Sequence, residues 1–500
     1  MAVGFGTSGV RGLVRELTDR VCAGYVRAFY RHARDQGAPA VVALAGDLRD
    51  STPRLLRAAA WAVAGEGGQA EFCGFIPTPA LAHHVIRRGL AGIMVTGSHI
   101  PEDRNGLKFY LPRGEILKAD EAAIAARLAD LSATTEADAP PAGAFDAEGM
   151  FWPGVAPELP APDPAALAAY ERRYLEFFPR GCLAGKRLVL YEHSSVARDL
   201  LARLLEQLGA RVVRVARAER FVPVDTEAVE NPEQLAAWVR AENADALVSA
   251  DGDGDRPLVV DDQGRQVRGD LLGLLTARYL RADVVAAPVS CTTALELCGA
   301  FRRVVRTRIG SPYVVAALAE AVRAGARRAV GFEANGGVLL ASDLLGEVPG
   351  AQLAALPTRD AVLPILAVLH AANRRALRLS QLVRELPARF TASGLLRPFP
   401  SEAGRALVDR LAAGGAAAAQ EFWGACFGEV RTADFTDGAR VTFAGGDIVH
   451  IRPSGNAPEF RVYTEAATPE AAETLNARAR EWIRQRVGPE LVAPGPSPAS

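Results

Sequence analysis

Short apolar runs alternate with amphipathic stretches along most of the chain, and each kind predicts a different element. VVALAG (41–46) is a continuous apolar run ending in Gly-Asp, the pattern of a buried strand. Residues 53–67 follow with helical periodicity and a proline in the first turn. AGIMVTGSH (91–99) reads as a strand entering a polar loop, and LKFYLP (107–112) as its continuation. A second unit repeats the alternation: strands at 186–193, 210–217, 244–250 and 258–262, with helices at 196–209 and 232–243. A third has helices at 269–281 and 312–324 and strands at 284–288, 302–308 and 328–333. Three successive units of this kind predict α/β layers with mostly parallel sheets. Residues 132–164, rich in Ala, Pro, Asp and Glu without periodicity, read as a linker. The last hundred residues change character. Helix-like stretches at 401–413 and 416–425 precede VRTADF, ARVTF, DIVHIRPSG and FRVYTEA, then a helix at 469–487, which predicts a small α+β domain. The tail PGPSPAS reads as disordered.

Length and charge narrow the class. Five hundred residues correspond to roughly three or four domains. Fifty-seven basic and 58 acidic residues leave a formal net charge of −1, which argues against a nucleic-acid binder but not against a local anion pocket. No apolar stretch suits a membrane span and no leader pattern opens the chain, so the expectation is a cytoplasmic protein with no membrane partner. The six cysteines are scattered without a C-x-x-C pair and read as reduced core thiols rather than metal ligands. Only Lys108, Lys118 and Lys186 are lysines; every other basic residue is arginine. Against that background a lysine inside a motif points to chemistry arginine cannot do.

Five fragments carry candidate chemistry. In DGDGDR, Asp251, Asp253 and Asp255 sit at i, i+2 and i+4 in a loop between two strands. Such a carboxylate-only cluster repels itself unless a hard cation, Mg²⁺ or Ca²⁺, sits in it; the alternative is a solvated acidic turn, which the preceding apolar strand disfavours. An EF-hand is excluded, because its positions 6 and 12 hold Arg256 and Asp262 and a strand follows. In TGSHIPEDRNGLKFY (96–110), Ser98 stands at a strand end as a candidate nucleophile, but the adjacent His99 diverges from it in extended backbone, which weakens a Ser–His hydrolase. Lys108 can lose a proton where arginine cannot, and so reads either as an acid/base group or as a surface lysine. RPSGNAPEFRVYTEA (452–466) reads as a phosphate clamp or as a polar hairpin turn. GFEANGG (331–337) is a Gly-rich loop at a strand end, fit for sugar hydroxyls or for a structural turn alone. FGTSGVRG (5–12), with Arg11, has phosphate contact as one option.

Together, and in this order along nearly the whole chain, the five fragments resemble the α-D-phosphohexomutase superfamily. The resemblance implies an α/β fold: three consecutive α/β/α domains with mixed sheets (1–150, 165–264 and 265–390) and a C-terminal α+β, TATA-binding-protein-like domain (395–490) around a central cleft. It implies that Ser98 carries a phosphoryl group and binds Mg²⁺ with Asp251, Asp253 and Asp255. Lys108 and His99 would move the proton at the sugar hydroxyl, with Arg11 and Arg256 nearby. Glu333 and Asn335 would read sugar hydroxyls, while Arg452, Ser454, Gly455, Asn456 and Arg461 would clamp the non-reacting phosphate, with Arg308 at a basic substrate position. The implied activity is interconversion of hexose 1-phosphate and hexose 6-phosphate. Hexose 1,6-bisphosphate would serve as activator and intermediate, and the protein would be a monomer or dimer. Three departures bear on the sugar: Asn335 and Gly337 where many bacterial members carry Ser and His, Gly310-Ser311-Pro312-Tyr313 in the third domain, and Asn456 where Thr is common. The pattern is nearest to bacterial phosphomannomutases, then phosphoglucomutases, with phosphoglucosamine mutases further off.

Overall fold

The computed structural model describes residues 3–6, 9–133, 143–453 and 458–487. The predicted strands and helices form within a few residues of their expected bounds, and the sheets then share one plan. In the first, Gln69–Phe75, Val41–Gly46 and Ala91–Val95 run parallel, and Arg104–Leu111 joins antiparallel beside Ala91–Val95. In the second, Arg211–Arg217, Arg187–His193 and Ala246–Ala250 run parallel, and Pro257–Asp261 joins antiparallel. In the third, Val284–Pro288 and Ala329–Phe332 are parallel, and Val338–Leu340 joins antiparallel. The last parallel strand and its antiparallel neighbour are joined in each case by the loop that carries the candidate chemistry. A parallel connection needs a crossover of a dozen or more residues, and these loops are too short for one. The sheets are therefore mixed, not mostly parallel as the apolar pattern alone predicts, and the three units repeat in topology where their residues do not.

Strand burial follows from this layering. Ala91–Val95, Ala246–Ala250 and Ala329–Phe332 are buried along their whole length, as expected where helices cover both faces of a sheet. Helix Asp19–Asp35 is capped by Thr18, whose hydroxyl accepts from Val21 N at 3.3 Å. Helix Thr78–Arg88 stops at Gly89, which adopts a left-handed φ of 64°.

One expectation narrows. Of the described part of the expected linker, 143–164, the segment 144–151 is packed onto the first domain, while 152–164 holds no helix or strand and no buried residue, as a linker would. Phe145 and Phe151 pair across a β-bridge and stack on one another, and both lie edge-on to Trp61. Two aromatic rings bury enough surface to fix a segment whose composition otherwise reads as spacer. Residues 134–142 and the tail 494–500 lie outside the described residues. The two helices expected before the last strands are both present within Ser401–Phe427 and are separated at Gly415, whose φ of 60° and ψ of −142° are not helical.

The chain divides into two compact units. The first holds residues up to 286, 301–303 and 310–383, and so contains all three loop-bearing connections. The second holds 287–300, 304–309 and the residues from 384 on. Its sheet is wholly antiparallel in the order Phe390–Leu396, Phe460–Ala466, Ile448–Pro453, Ala439–Phe443, Val430–Asp434. Helices Ser401–Phe427 and Pro469–Arg486 pack on that sheet around the buried Trp423, Phe399 and Phe460. Among the described residues no helix is long and apolar enough to cross a membrane.

Candidate active site

Ser98 is fully buried and adopts a left-handed φ of 56°, a conformation that costs about 1–3 kcal/mol in a residue other than glycine. The loop around it is held by two residues the sequence reading does not single out. Asp47 accepts from Thr96 Oγ1 at 2.7 Å and Gly97 N at 3.2 Å. Arg49, 1% exposed, donates to four backbone carbonyls of the loop: Ser98 at 3.0 Å, Ile100 at 2.5 Å, Pro101 at 2.7 Å and Arg104 at 3.0 Å. Gly97 is required here, since a Cβ would lie 2.6 Å from the Arg49 Cζ. Gly97→Ala is therefore expected to destabilise the protein by about 1–3 kcal/mol through overpacking and to lower activity by displacing Ser98. Denaturant midpoints and turnover measured together check this; an unchanged midpoint would refute the packing.

The second loop meets the first. Ser98 Oγ donates to Asp251 Oδ2 at 2.6 Å, and the other Asp251 oxygen accepts from Asp255 N and Arg256 N, each at 3.1 Å. Asp253 Oδ2 accepts from Thr78 Oγ1 at 2.5 Å and from Lys108 Nζ at 2.6 Å. Asp255 Oδ2 accepts from Lys108 Nζ at 2.7 Å and from Arg359 Nε and Nη2 at 3.1 and 2.9 Å. All three aspartates are buried, and each offers a carboxylate oxygen within 4.8 Å of the others. Asp253 Oδ1 and Asp255 Oδ1 are buried with no hydrogen-bond partner among the described residues. Orphaned, convergent carboxylate oxygens are the donor set of a hard divalent cation, so these residues fit Mg²⁺.

The electrostatics are uneven. Burial, reinforced by Asp253 and Asp255, pushes Asp251 well above the usual carboxylate range. Burial acts the same way on Asp255, but Arg359, Lys108 and Arg256 overcome it and hold that carboxyl well below the range. Lys108 is drawn down by burial, yet Asp253 and Asp255 outweigh it and raise the ammonium above its ordinary value. It is a buried, doubly ion-paired cation, not a surface lysine.

A cationic rim surrounds the acids. Arg256 Nη1 lies 3.4 Å from His99 Nε2, and His99 Nδ1 lies 3.4 Å from Ser98 Oγ. Burial, then Arg256 and Arg11, pushes His99 down to about 2, so its imidazole is neutral. Arg11, on strand Val10–Leu13 opposite Gly106, is lowered to about 10 by burial, Arg256 and Arg359. Mutually repelling arginines beside a serine favour an anion between them.

The third loop brings Glu333, whose Oε2 accepts from Arg359 Nη1 at 2.8 Å. Asn335 is buried, but its Oδ1 accepts from Gly337 N at 3.0 Å and so first braces its own loop. In the second unit, Arg308 Nε donates to Thr436 O at 3.1 Å and Arg452 Nε to Asp437 Oδ1 at 3.0 Å, while Ile309 N donates to Asp437 Oδ2 at 2.9 Å. The 436–437 turn thereby gathers both arginines. Arg461 lies directly across the strand pair from Arg452, whose charge Asp437 already pairs. Ser454, Gly455 and Asn456 lie outside the described residues.

A second trio, Glu71, Cys73 and His84, also brings ligand atoms together. Arg88 Nη1 donates to both Glu71 oxygens at 2.8 and 2.7 Å, so the protein's own cation already neutralises that cluster.

Fold and site together bring a buried serine, a three-carboxylate cluster and a rim of cations into one centre, and comparison with known proteins gives its class. Models of the four phosphoglucomutase/phosphomannomutase domains match in order: α/β/α domain I at residues 2–135, domain II at 176–264, domain III at 268–390 and the C-terminal domain at 402–481. A phosphomannomutase of Sinorhizobium fredii is 46% identical over 479 residues, covering 95% of this chain and 97% of the relative. One of Salmonella muenchen is 42% identical, covering 97% and 96%. A probable phosphoglucosamine mutase of Methanothermobacter thermautotrophicus is 27% identical, covering 97% and 98%. Among solved structures, a phosphoglucomutase/phosphomannomutase family protein from Burkholderia thailandensis superposes with a TM-score of 0.71 at 22% identity, covering 96% of this chain and 97% of that one. The chain belongs to the phosphoglucomutase/phosphomannomutase family. Within it the sequence lies close to the bacterial phosphomannomutases, and the protein is an enzyme of the isomerase, phosphotransferase kind.

Proposed function

We propose that the protein interconverts hexose 1-phosphate and hexose 6-phosphate, mannose preferred, through a phosphoserine at Ser98. The observation that carries this is the 2.6 Å hydrogen bond from Ser98 Oγ to an aspartate triad with two orphaned carboxylate oxygens. Asp251, Asp253 and Asp255 would hold Mg²⁺, which supplies charge neutralisation for the phosphoryl oxygens. In the first half-reaction a sugar hydroxyl oxygen bonds to the phosphorus of phospho-Ser98 as the bond to Ser98 Oγ breaks. The hydroxyl proton passes to the neutral imidazole of His99, whose Nδ1 lies 3.4 Å from Ser98 Oγ, and from there to Ser98 Oγ as the phosphoserine bond breaks. Lys108, already protonated and paired with Asp253 and Asp255, supplies positive charge. The resulting hexose 1,6-bisphosphate turns over and returns its other phosphate to Ser98 by the reverse exchange. Phosphoryl transfer of this kind depends on positioning and electrostatic stabilisation more than on new covalent chemistry. Arg11 and Arg256 supply positive charge beside the transferred group. Glu333 accepts from sugar hydroxyls, and Arg308, Arg452 and Arg461, with Ser454, Gly455 and Asn456, take the phosphate that does not react.

The preference for mannose is supported by 46% and 42% identity to phosphomannomutases against 27% to a probable phosphoglucosamine mutase. A phosphorus-31 NMR time course tests the assignment, with Mg²⁺, a trace of hexose 1,6-bisphosphate and, in separate samples, mannose, glucose and glucosamine 1-phosphates. Conversion to the 6-phosphate is expected, fastest for mannose. Release of inorganic phosphate without isomerisation would favour a phosphatase, and no reaction in any sample would favour a binding protein.

A further inference from the structure

Arg359 sits on strand Leu356–Asp360, is 4% exposed, and among the described residues is the one side chain that pairs with both the metal-loop acid Asp255 and the sugar-loop acid Glu333. Each nitrogen of its fork is engaged: Nε and Nη2 donate to Asp255 Oδ2, and Nη1 to Glu333 Oε2. With Lys108 also donating to Asp255 Oδ2, that oxygen holds three donors, while Oδ1 accepts no hydrogen bond among the described residues and has Arg256 Nε 3.7 Å away. The stem is placed just as firmly. A Cβ on Gly337 would lie 2.8 Å from Arg359 Cγ and 2.9 Å from its Cβ and Cδ, so the arginine fills the space above position 337. The next residue anchors the strand end. Asp360 accepts from Tyr170 Oη at 2.8 Å and from Tyr174 Oη, and its carboxylate caps Val362 N at 2.8 Å.

The geometry points to Arg359 as a positioning residue that sets metal and sugar recognition together, and Gly337 as the residue that admits it. This rests on the phosphohexomutase reading of the Ser98 site. One guanidinium orients two carboxylates in loops of different domains, so loosening it misplaces a cation ligand and a sugar-hydroxyl acceptor at once. A lysine keeps the charge but has a single donor centre, so it cannot span both acids in the same geometry. Gly337→Ala keeps every charge and pushes only on the arginine stem.

The test uses Mn²⁺ as a paramagnetic probe in place of Mg²⁺, with free metal counted by electron paramagnetic resonance, and mannose 1-phosphate binding read by calorimetry. Melting midpoints are recorded alongside. In both Arg359→Lys and Gly337→Ala, Mn²⁺ affinity is expected to fall roughly tenfold or more, as for other groups that orient metal ligands. Mannose 1-phosphate affinity is expected to fall about tenfold, the loss of one charge-assisted hydrogen bond. A folded variant in which both affinities stay within twofold of wild type, or in which only one moves, overturns the coupling. Should the wild-type protein isomerise no hexose phosphate, the Mn²⁺ measurement still reads the link from Arg359 to Asp255, so the two failures separate.

Discussion

Ser98→Ala is expected to lower mutase turnover by at least ~10³-fold, since it removes the only path through a covalent phosphoenzyme and enzymes of this kind work ~10⁶-fold or more above background. The fold is expected to survive. The left-handed φ of 56° is a cost the native serine already bears, and alanine inherits it without adding to it. Asp251 loses the Ser98 hydroxyl but keeps both backbone donors on its other oxygen, so stability should change by about 1 kcal/mol. Turnover from mannose 1-phosphate, together with intact mass after incubation with hexose 1,6-bisphosphate, checks it. Wild type should gain one phosphoryl group and the variant none. A variant keeping a tenth of wild-type activity would remove Ser98 from the mechanism.

Asp251→Asn carries the second large effect, and its sign differs between function and stability. Burial and two neighbouring carboxylates push Asp251 well above the usual range. A carboxyl with a raised native pKa destabilises the folded state once ionised, so at neutral pH this charge costs stability. Asparagine keeps the shape and can still accept from Asp255 N and Arg256 N, while one of three crowded negative charges is gone. The variant should therefore match or exceed wild-type stability in chelator, by up to about 2 kcal/mol. It should also lose a first-rank metal ligand, and with it at least ~100-fold in divalent-cation affinity and in turnover. Native sites commonly retain such strain where activity requires it. Denaturant titrations in chelator and calorimetry with Mg²⁺ decide the matter. Unchanged Mg²⁺ dependence would strike Asp251 from the ligand set, and collapse of the fold would show the charge to be structural.

The residues that carried the reading were those whose chemistry is set by close spacing. Asp251, Asp253 and Asp255 stand two apart in a short loop, so any fold that makes that loop crowds their carboxylates, and the candidate metal site is legible without coordinates. Ser98 stands at the end of a continuous apolar run, and Lys108 stands out by rarity; the structure brings both to the triad. The elements were legible for the same reason, because helical and strand periodicities are local.

What stayed hidden depends on contacts between distant positions. Arg49 is one arginine among many until its guanidinium gathers carbonyls some fifty residues on. Thr78 reaches Asp253 across 175 positions, and Arg359 reaches Asp255 across 104. Local pattern cannot report such pairs. Composition likewise passed over the anchor at Phe145 and Phe151, because two phenylalanines count for little in an average and much in a packed core. By itself the sequence determined the elements, the α/β class, the family resemblance and the candidates for the reacting groups, since these follow from spacing and side-chain chemistry. Only the tertiary structure decided which sheets are mixed, that Lys108 is a buried cation, and that one arginine joins the metal loop to the sugar loop. Strand order and buried charge pairing arise when segments far apart in the chain are brought to hydrogen-bond distance.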